Sequence, residues 1–253
     1  MQSNPQTTTN LETFKLPSGN FGFSATKITG DLGASEYTLA HLVIDSSGSV
    51  NQFKADLEKV AQETVKACLH SPRADNLMLR TISFDDRLKE IHGFKLLAAC
   101  NIGDYDNSIN PGGSTALFDA AHNAIESTVA YSKSLYDADY KTNAIIIVVT
   151  DGCDNVSTQT ANSVKLAIEK AVQSESLESI VTILVGVNIV DSQVKSALDA
   201  FQKEAGFTAF IPLADASKST LAKLAKFVSH SISSQSKSLG SGQAASVAPS
   251  LVI

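Results

Sequence analysis

The feature that most constrains this chain is a series of strand-length apolar runs separated by stretches of helical periodicity. The strongest run, AIIIVVT (144–150), has no polar residue from Ala144 to Val149. A half-exposed strand would alternate, so continuous apolarity points to a strand covered on both faces, as in a parallel sheet. YTLAHLVI (37–44), LMLRTISF (77–84), SIVTILVGVNI (179–189) and FTAFIPLA (207–214) read as further strands. Between the runs, Phe53, Leu57, Val60, Ala61, Val65 and Cys68 recur at helical spacing, as do Leu117, Ala120, Ala121, Ala124, Ile125 and Val129. Residues 161–175, about 191–204 and Lys218 to Ser233 complete the helices, the last turning Leu221, Leu224, Ala225, Phe227 and Val228 inward. RLKEIHGFKL (87–96) is more polar and reads as an edge strand.

Alternating strands and helices predict one doubly wound α/β domain: a Rossmann-like three-layer α/β/α sandwich, its sheet mostly parallel with one antiparallel edge strand. The domain is assigned to residues 37–232. Residues 1–36 are an N-terminal extension, loose to about residue 10, with a short strand near FGFSATKI (21–28) and a turn at Gly30-Asp31-Leu32-Gly33. Residues 233–253, rich in Ser, Gly and Ala, read as a flexible tail whose last residues, Val247 to Ile253, are apolar enough to dock on another subunit.

With 43% hydrophobic and 18% charged residues, a sizeable core is expected over 253 residues. A net charge of −6 without clustered Lys or Arg gives no field to attract phosphates, so no nucleic-acid partner is expected. MQSNPQTTTN lacks the features of a secretory leader, and no apolar run reaches membrane-spanning length. Three cysteines, Cys68, Cys100 and Cys153, are an odd number without C-x-x-C spacing. The expectation is a cytoplasmic protein with no membrane partner; its oligomeric state is not legible in the sequence.

In such sheets ligands bind beyond the carboxyl ends of the strands. Three candidate loops fall there: Asp45-Ser46-Ser47-Gly48-Ser49, Gly112-Gly113-Ser114-Thr115 and Thr150-Asp151-Gly152. They offer two carboxylates and several hydroxyls, with no His or Cys at ligand spacing. Hard oxygen donors suit Mg²⁺, or Mn²⁺, rather than zinc or copper. Asp45, Ser47 and Ser49 alternate, so they converge if the chain stays extended or turns tightly, and Gly48 permits the turn. In the second loop either Ser114 or Thr115 could supply the hydroxyl.

Asp45-x-Ser47-x-Ser49, then Thr115, then Thr150-Asp151-Gly152 resemble the metal-ion-dependent adhesion site of von Willebrand factor A domains, in that family's order and over about residues 37–232. The resemblance implies direct metal ligation by Ser47 and Ser49, ligation by Asp45 and Asp151 directly or through water, and ligation by Thr115 when a partner is engaged. Alignment of the helix that follows favours Thr115 over Ser114. The second metal sites of some integrin subunits have no counterpart. The implied function is recognition of an Asp or Glu on a partner protein. The compact intracellular microbial members, which this chain resembles most, act as adaptors or co-chaperones beside AAA+ ATPases of the MoxR type or in stress-response systems.

The competing readings are weaker. An isolated Asp-Ser-Ser-Gly is equally a helix N-cap, but a cap does not explain Thr115 and Asp151 at other strand ends. A Mg²⁺-dependent phosphohydrolase with Asp45 as nucleophile would want a second acid two residues on, where Ser47 stands. No P-loop is present, and His41, His70, His92, His122 and His230 lie apart from the serines, so the chain is not expected to be an enzyme. A structural subunit clasped by its terminal segments is the third reading. Asp85-Asp86 reads as a solvated strand end near the metal face, and Cys153 as a loop thiol near the site.

Overall fold

In the computed structural model the protein is described over residues 10–16, 22–30 and 32–240. Its elements run in the order β1 (Leu11–Phe14), β2 (Phe23–Thr26), β3 (Glu36–Asp45), α1 (Lys54–Leu69), β4 (Leu77–Phe84), β5 (Leu88–Leu96), α2 (Leu117–Tyr136), β6 (Lys141–Thr150), α3 (Ala161–Val172), β7 (Ile180–Gly186), α4 (Ser192–Ala205), β8 (Ala209–Pro212) and α5 (Lys218–Ser238). The sheet order is β1-β2-β5-β4-β3-β6-β7-β8. β4, β3, β6, β7 and β8 are mutually parallel, and β5 lies antiparallel to β4.

The side-chain period of two sorts β3 and β6 between two cores. Leu39 and Val43, with Ala144, Ile146 and Val148, meet the core built with α2, α3 and α4. Ala40, Leu42 and Ile44, with Ile145, Ile147 and Val149, meet α1 and α5. This is the three-layer sandwich expected from the apolar runs, and no described helix is long and apolar enough to cross a membrane.

Three details differ from the sequence reading. β5 is the antiparallel margin of the six-stranded body, but the sheet does not end there. The hairpin β1–β2 extends it, with Ala25 paired parallel to Phe94. A side chain at residue 93 would forbid this approach, because a Cβ on Gly93 would stand 2.1 Å from the Ser24 carbonyl oxygen. At the other end, α5 runs to Ser238, past the boundary set at 232. The reason is polar: Gln235 Nε2 donates to Ala144 O and to Ser179 Oγ, each at 3.0 Å, and Asn143 Nδ2 donates to Gln235 O at 2.7 Å. Lastly, the strand expected over 207–214 spans only Ala209–Pro212. The expectations for residues 1–9, Phe21, Asp31 and 241–253 lie outside the described residues.

Candidate metal centre

The parallel register brings the three loops together. Ile44 pairs with Val149, so Asp45 and Thr150 end adjacent strands side by side. Asp45 has no exposed surface, and both its carboxylate oxygens are engaged: Oδ1 accepts from Ser47 N at 2.7 Å, Oδ2 from Thr150 Oγ1 at 2.6 Å. The chain then turns through a short 3-10 segment, Gly48–Gln52. This turn brings Ser47 Oγ to 3.0 Å from Ser49 Oγ, and Ser49 Oγ donates to Asp151 Oδ1 at 2.7 Å.

The second loop closes the cup. Gly112 N donates to Ser46 O at 3.0 Å, Gly48 N reaches Gly113 O at 3.5 Å, and Ala116 N donates to Asp85 O at 2.8 Å. Gly113 takes φ +62°, which favours glycine, whereas the 2.7 Å approach of a Cβ there to Asp86 Oδ1 is one that the exposed Asp86 side chain could relieve. Thr115 is buried at 5% exposure, and its Oγ1 lies 3.9 Å from where a Cβ on Gly152 would stand; Ser114 is exposed. Thr115, not Ser114, therefore faces the loop that carries Asp151.

Burial pushes the Asp45 carboxyl up to about 6, against the hydrogen bonds from Thr150 and Ser47, and the nearby Asp151 pushes the same way. Burial also raises Asp151, opposed by Ser49. Two desolvated acids side by side make an environment that a dication would relieve. The donor spacing suits a small hard ion. Metal–oxygen bonds of about 2.0–2.1 Å give octahedral edges of about 2.9 Å. The Ser47–Ser49 and Ser49–Asp151 oxygen separations, 3.0 and 2.7 Å, are close to such edges. Among the described residues no three His, Cys, Asp or Glu are grouped to hold a metal ion, so beyond the two carboxylates the ligands of any ion held here would be hydroxyl or carbonyl oxygens and water.

Other candidates fall outside the cup. The Cys153 thiol lies 3.9 Å from Val194 O on α4. His41 is buried under α2 and His92 bonds Tyr105, so neither faces the cup. Sequence reasoning missed two residues that shape the site, Thr150 and Asn155. Thr150 stood in the motif without a role of its own; Asn155 Oδ1 accepts from Thr115 N at 2.8 Å. The signal for the second was Ala116, which cannot cap α2 and so leaves its first N–H groups to another loop.

No family model and no curated protein matches this chain. Solved structures do. A point mutant of the PilB minor pilin from Streptococcus sanguinis is similar with a TM-score of 0.56 at 12% identity, over 84% of this chain and 64% of that one. Proximal thread matrix protein 1 (PTMP1) from the mussel byssus is similar with a TM-score of 0.52 at 17% identity, over 80% of this chain and 47% of that one. A structure of the same thread protein with a zinc-occupied MIDAS motif gives 0.50 at 18% identity, over 79% and 46% of the two chains. This chain thus spans under two thirds of the pilin and under half of the thread protein. What is shared at these identities is the fold, an α/β sandwich of the von Willebrand factor A type.

Proposed function

We propose that this chain is a metal-dependent recognition module, in which Mg²⁺, or Mn²⁺, at the cup formed by Asp45, Ser47, Ser49, Thr115 and Asp151 captures an Asp or Glu of a partner protein. The observation that carries this reading is the Ser49 hydroxyl, 3.0 Å from Ser47 Oγ and bonded to Asp151 at 2.7 Å, which draws donors from two strand ends into one cluster. When bound, the ion would supply an electrophilic position that a carboxylate can fill. Every other task falls to the protein. Ser47, Ser49 and Thr115 contribute oxygens without charge, so two carboxylates suffice to hold a dication while leaving it attractive to a third. Asp45, tied by Ser47 N and Thr150, orients the first loop from beneath.

The loop lacks what hydrolysis would want: the position two residues after Asp45, where a second acid would assist a nucleophilic Asp45, is Ser47. We therefore propose binding rather than catalysis, in a cytoplasmic setting. An adaptor or co-chaperone role beside a MoxR-type AAA+ ATPase or a stress-response component rests on the sequence resemblance alone.

The test is affinity capture with wild type, Ser49→Ala and Asp151→Ala, each in Mg²⁺ and in EDTA, beside calorimetric titration of Mg²⁺ into each protein. A partner held by the wild type in Mg²⁺ alone, with metal binding lost in both variants, is the expected result. Capture that is equal in every condition would move the binding surface away from the cup.

A further inference from the structure

We infer that Asn155 is the positioning residue that aims the Thr115 hydroxyl into the cup, an inference that rests on the metal-binding reading above. Helix α2 begins without a cap of its own, since Ala116 has no side-chain acceptor. The loop after Asp151 does the work instead. Asp154 Oδ1 accepts from Phe118 N at 3.3 Å, Ser157 Oγ from Asp119 N at 3.0 Å, and the Asp119 carboxylate in return accepts from Thr158 N at 3.2 Å and Gln159 N at 2.7 Å. These bonds latch the loop to the helix but do not touch Thr115.

Asn155 does, and twice. Its Oδ1 accepts from Thr115 N at 2.8 Å, and its own N donates to Thr115 O at 3.0 Å. Both backbone polar groups of one residue are thereby held by a single partner, which fixes the two peptide planes flanking Thr115. Threonine is β-branched and stiff at χ1, so a fixed backbone leaves its hydroxyl little freedom. Asn155 stands four residues after Asp151 on the same loop. It thus ties the Thr115 donor of the second loop to the loop carrying Asp151, and does so from an exposed position outside the donor set.

The experiment is titration of MgCl₂ into the full chain by calorimetry, with melting temperatures in EDTA recorded for every variant. The proteins are wild type, Asn155→Ala, Asn155→Asp and Asp154→Ala. Residues that orient metal ligands are worth about 10–100-fold in affinity, and Asn155→Ala is expected to lose Mg²⁺ affinity in that range. Asn155→Asp keeps the acceptor for Thr115 N and should recover most of it. Asp154→Ala loosens the same latch at Phe118 and should bind Mg²⁺ as the wild type does. Wild-type affinity in Asn155→Ala overturns the inference, as does an equal loss in Asp154→Ala, which would make the effect one of general loop loosening. Wild type that binds no Mg²⁺ removes the metal-binding reading and this inference together; the other two outcomes leave that reading intact.

Discussion

Asp45 concentrates the physics of this site in one side chain. Burial raises its carboxyl from an ordinary 3.8 to about 6. An acid whose pKa is higher in the folded than in the unfolded state binds more protons when folded, so its contribution favours the fold at low pH and is lost as pH rises from about 4 to 6. At about 1.4 kcal/mol per unit, the metal-free protein should lose about 3 kcal/mol of stability through this window. Urea unfolding in EDTA at pH 4.5 and 7, compared with Asp45→Asn, isolates this contribution: the wild type should show an extra fall of about 2 kcal/mol, the part of the window above pH 4.5, and the variant should not. Mg²⁺ binds the ionised form, so its stabilising effect should be strong at pH 7 and nearly absent at pH 4.5. Thr150 is the complement. Thr150→Val removes the donor to Asp45 Oδ2, which disfavours the carboxylate further, and should weaken Mg²⁺ binding about tenfold in the same titration. At this scale the sequence marked the candidate donors and was silent about the residues that hold them in place. Asp45, Ser47, Ser49, Thr115 and Asp151 carry recognisable chemistry at recognisable spacing. Thr150 and Asn155 act through hydrogen bonds to residues far away in sequence, which no local pattern encodes.

Among the elements, the hairpin β1–β2 depends on one position. A Cβ at residue 93 would meet the Ser24 carbonyl at 2.1 Å, a backbone atom that cannot swing aside. Gly93→Ala should therefore push β2 off β5 and cost about 1–3 kcal/mol, the usual range for overpacking. Hydrogen exchange should localise the loss of protection to residues 23–26 and leave β3 and β6 unchanged. The end of α5 makes a second case. Asn143, with no exposed surface, donates to Gln235 O and accepts from Thr38 Oγ1 at 2.7 Å. Asn143→Ala strands the Thr38 hydroxyl in the interior and removes one of the donors to Gln235 O, which keeps Ser238 Oγ at 2.8 Å, and should cost about 1–3 kcal/mol in urea unfolding. These two features mark where the sequence was hard to read. The apolar runs of β3, β4 and β6 and the inward faces of α1, α2 and α5 were legible because burial on a period of two or 3.6 is written in residue type. LETF (11–14) has no such period, with exposed Leu11 and Thr13 alternating with half-buried Glu12 and Phe14, so only pairing with β2 makes it a strand. The last turn of α5 is serine-rich and looks like a linker; its burial follows from Gln235 reaching the start of β6, a contact 91 residues away in sequence.

At the level of the whole molecule, the metal cup and the scaffold are held by separate polar systems. Beneath α2, Arg80 is almost fully buried and donates to Glu90 Oε2 at 2.8 Å and Ser127 Oγ at 2.8 Å, with His41 Nε2 at 3.1 Å. Glu90 in turn accepts from Ser24 N at 3.1 Å, and the guanidinium lies 5.5 Å from the Phe23 ring centre. One cation thus joins β2, β3, β4, β5 and α2. Burial lowers the pKa of Arg80 and lowers that of His41 well below its usual value, so His41 serves as a neutral acceptor toward Arg80. This network reaches β3 at His41, four residues before Asp45, or about 13 Å along an extended strand. The Arg80–Glu90 pair is buried on the Arg80 side but a quarter exposed on the Glu90 side, which also keeps its bonds from Ser24, so removing Arg80 should cost toward the lower end of the about 3–5 kcal/mol for breaking a buried pair. Arg80→Ala should therefore lower the urea midpoint strongly, and Arg80→Met combined with Glu90→Gln should recover much of the loss by removing both charges and refilling the space. The rise in melting temperature on adding Mg²⁺ at pH 7 should stay the same in all three proteins, because the cup draws its geometry from the strand ends and loops and not from this network. A Mg²⁺ increment that shrinks in step with stability would instead mean that the scaffold under α2 sets the cup, with Asp45 the point at which the two meet.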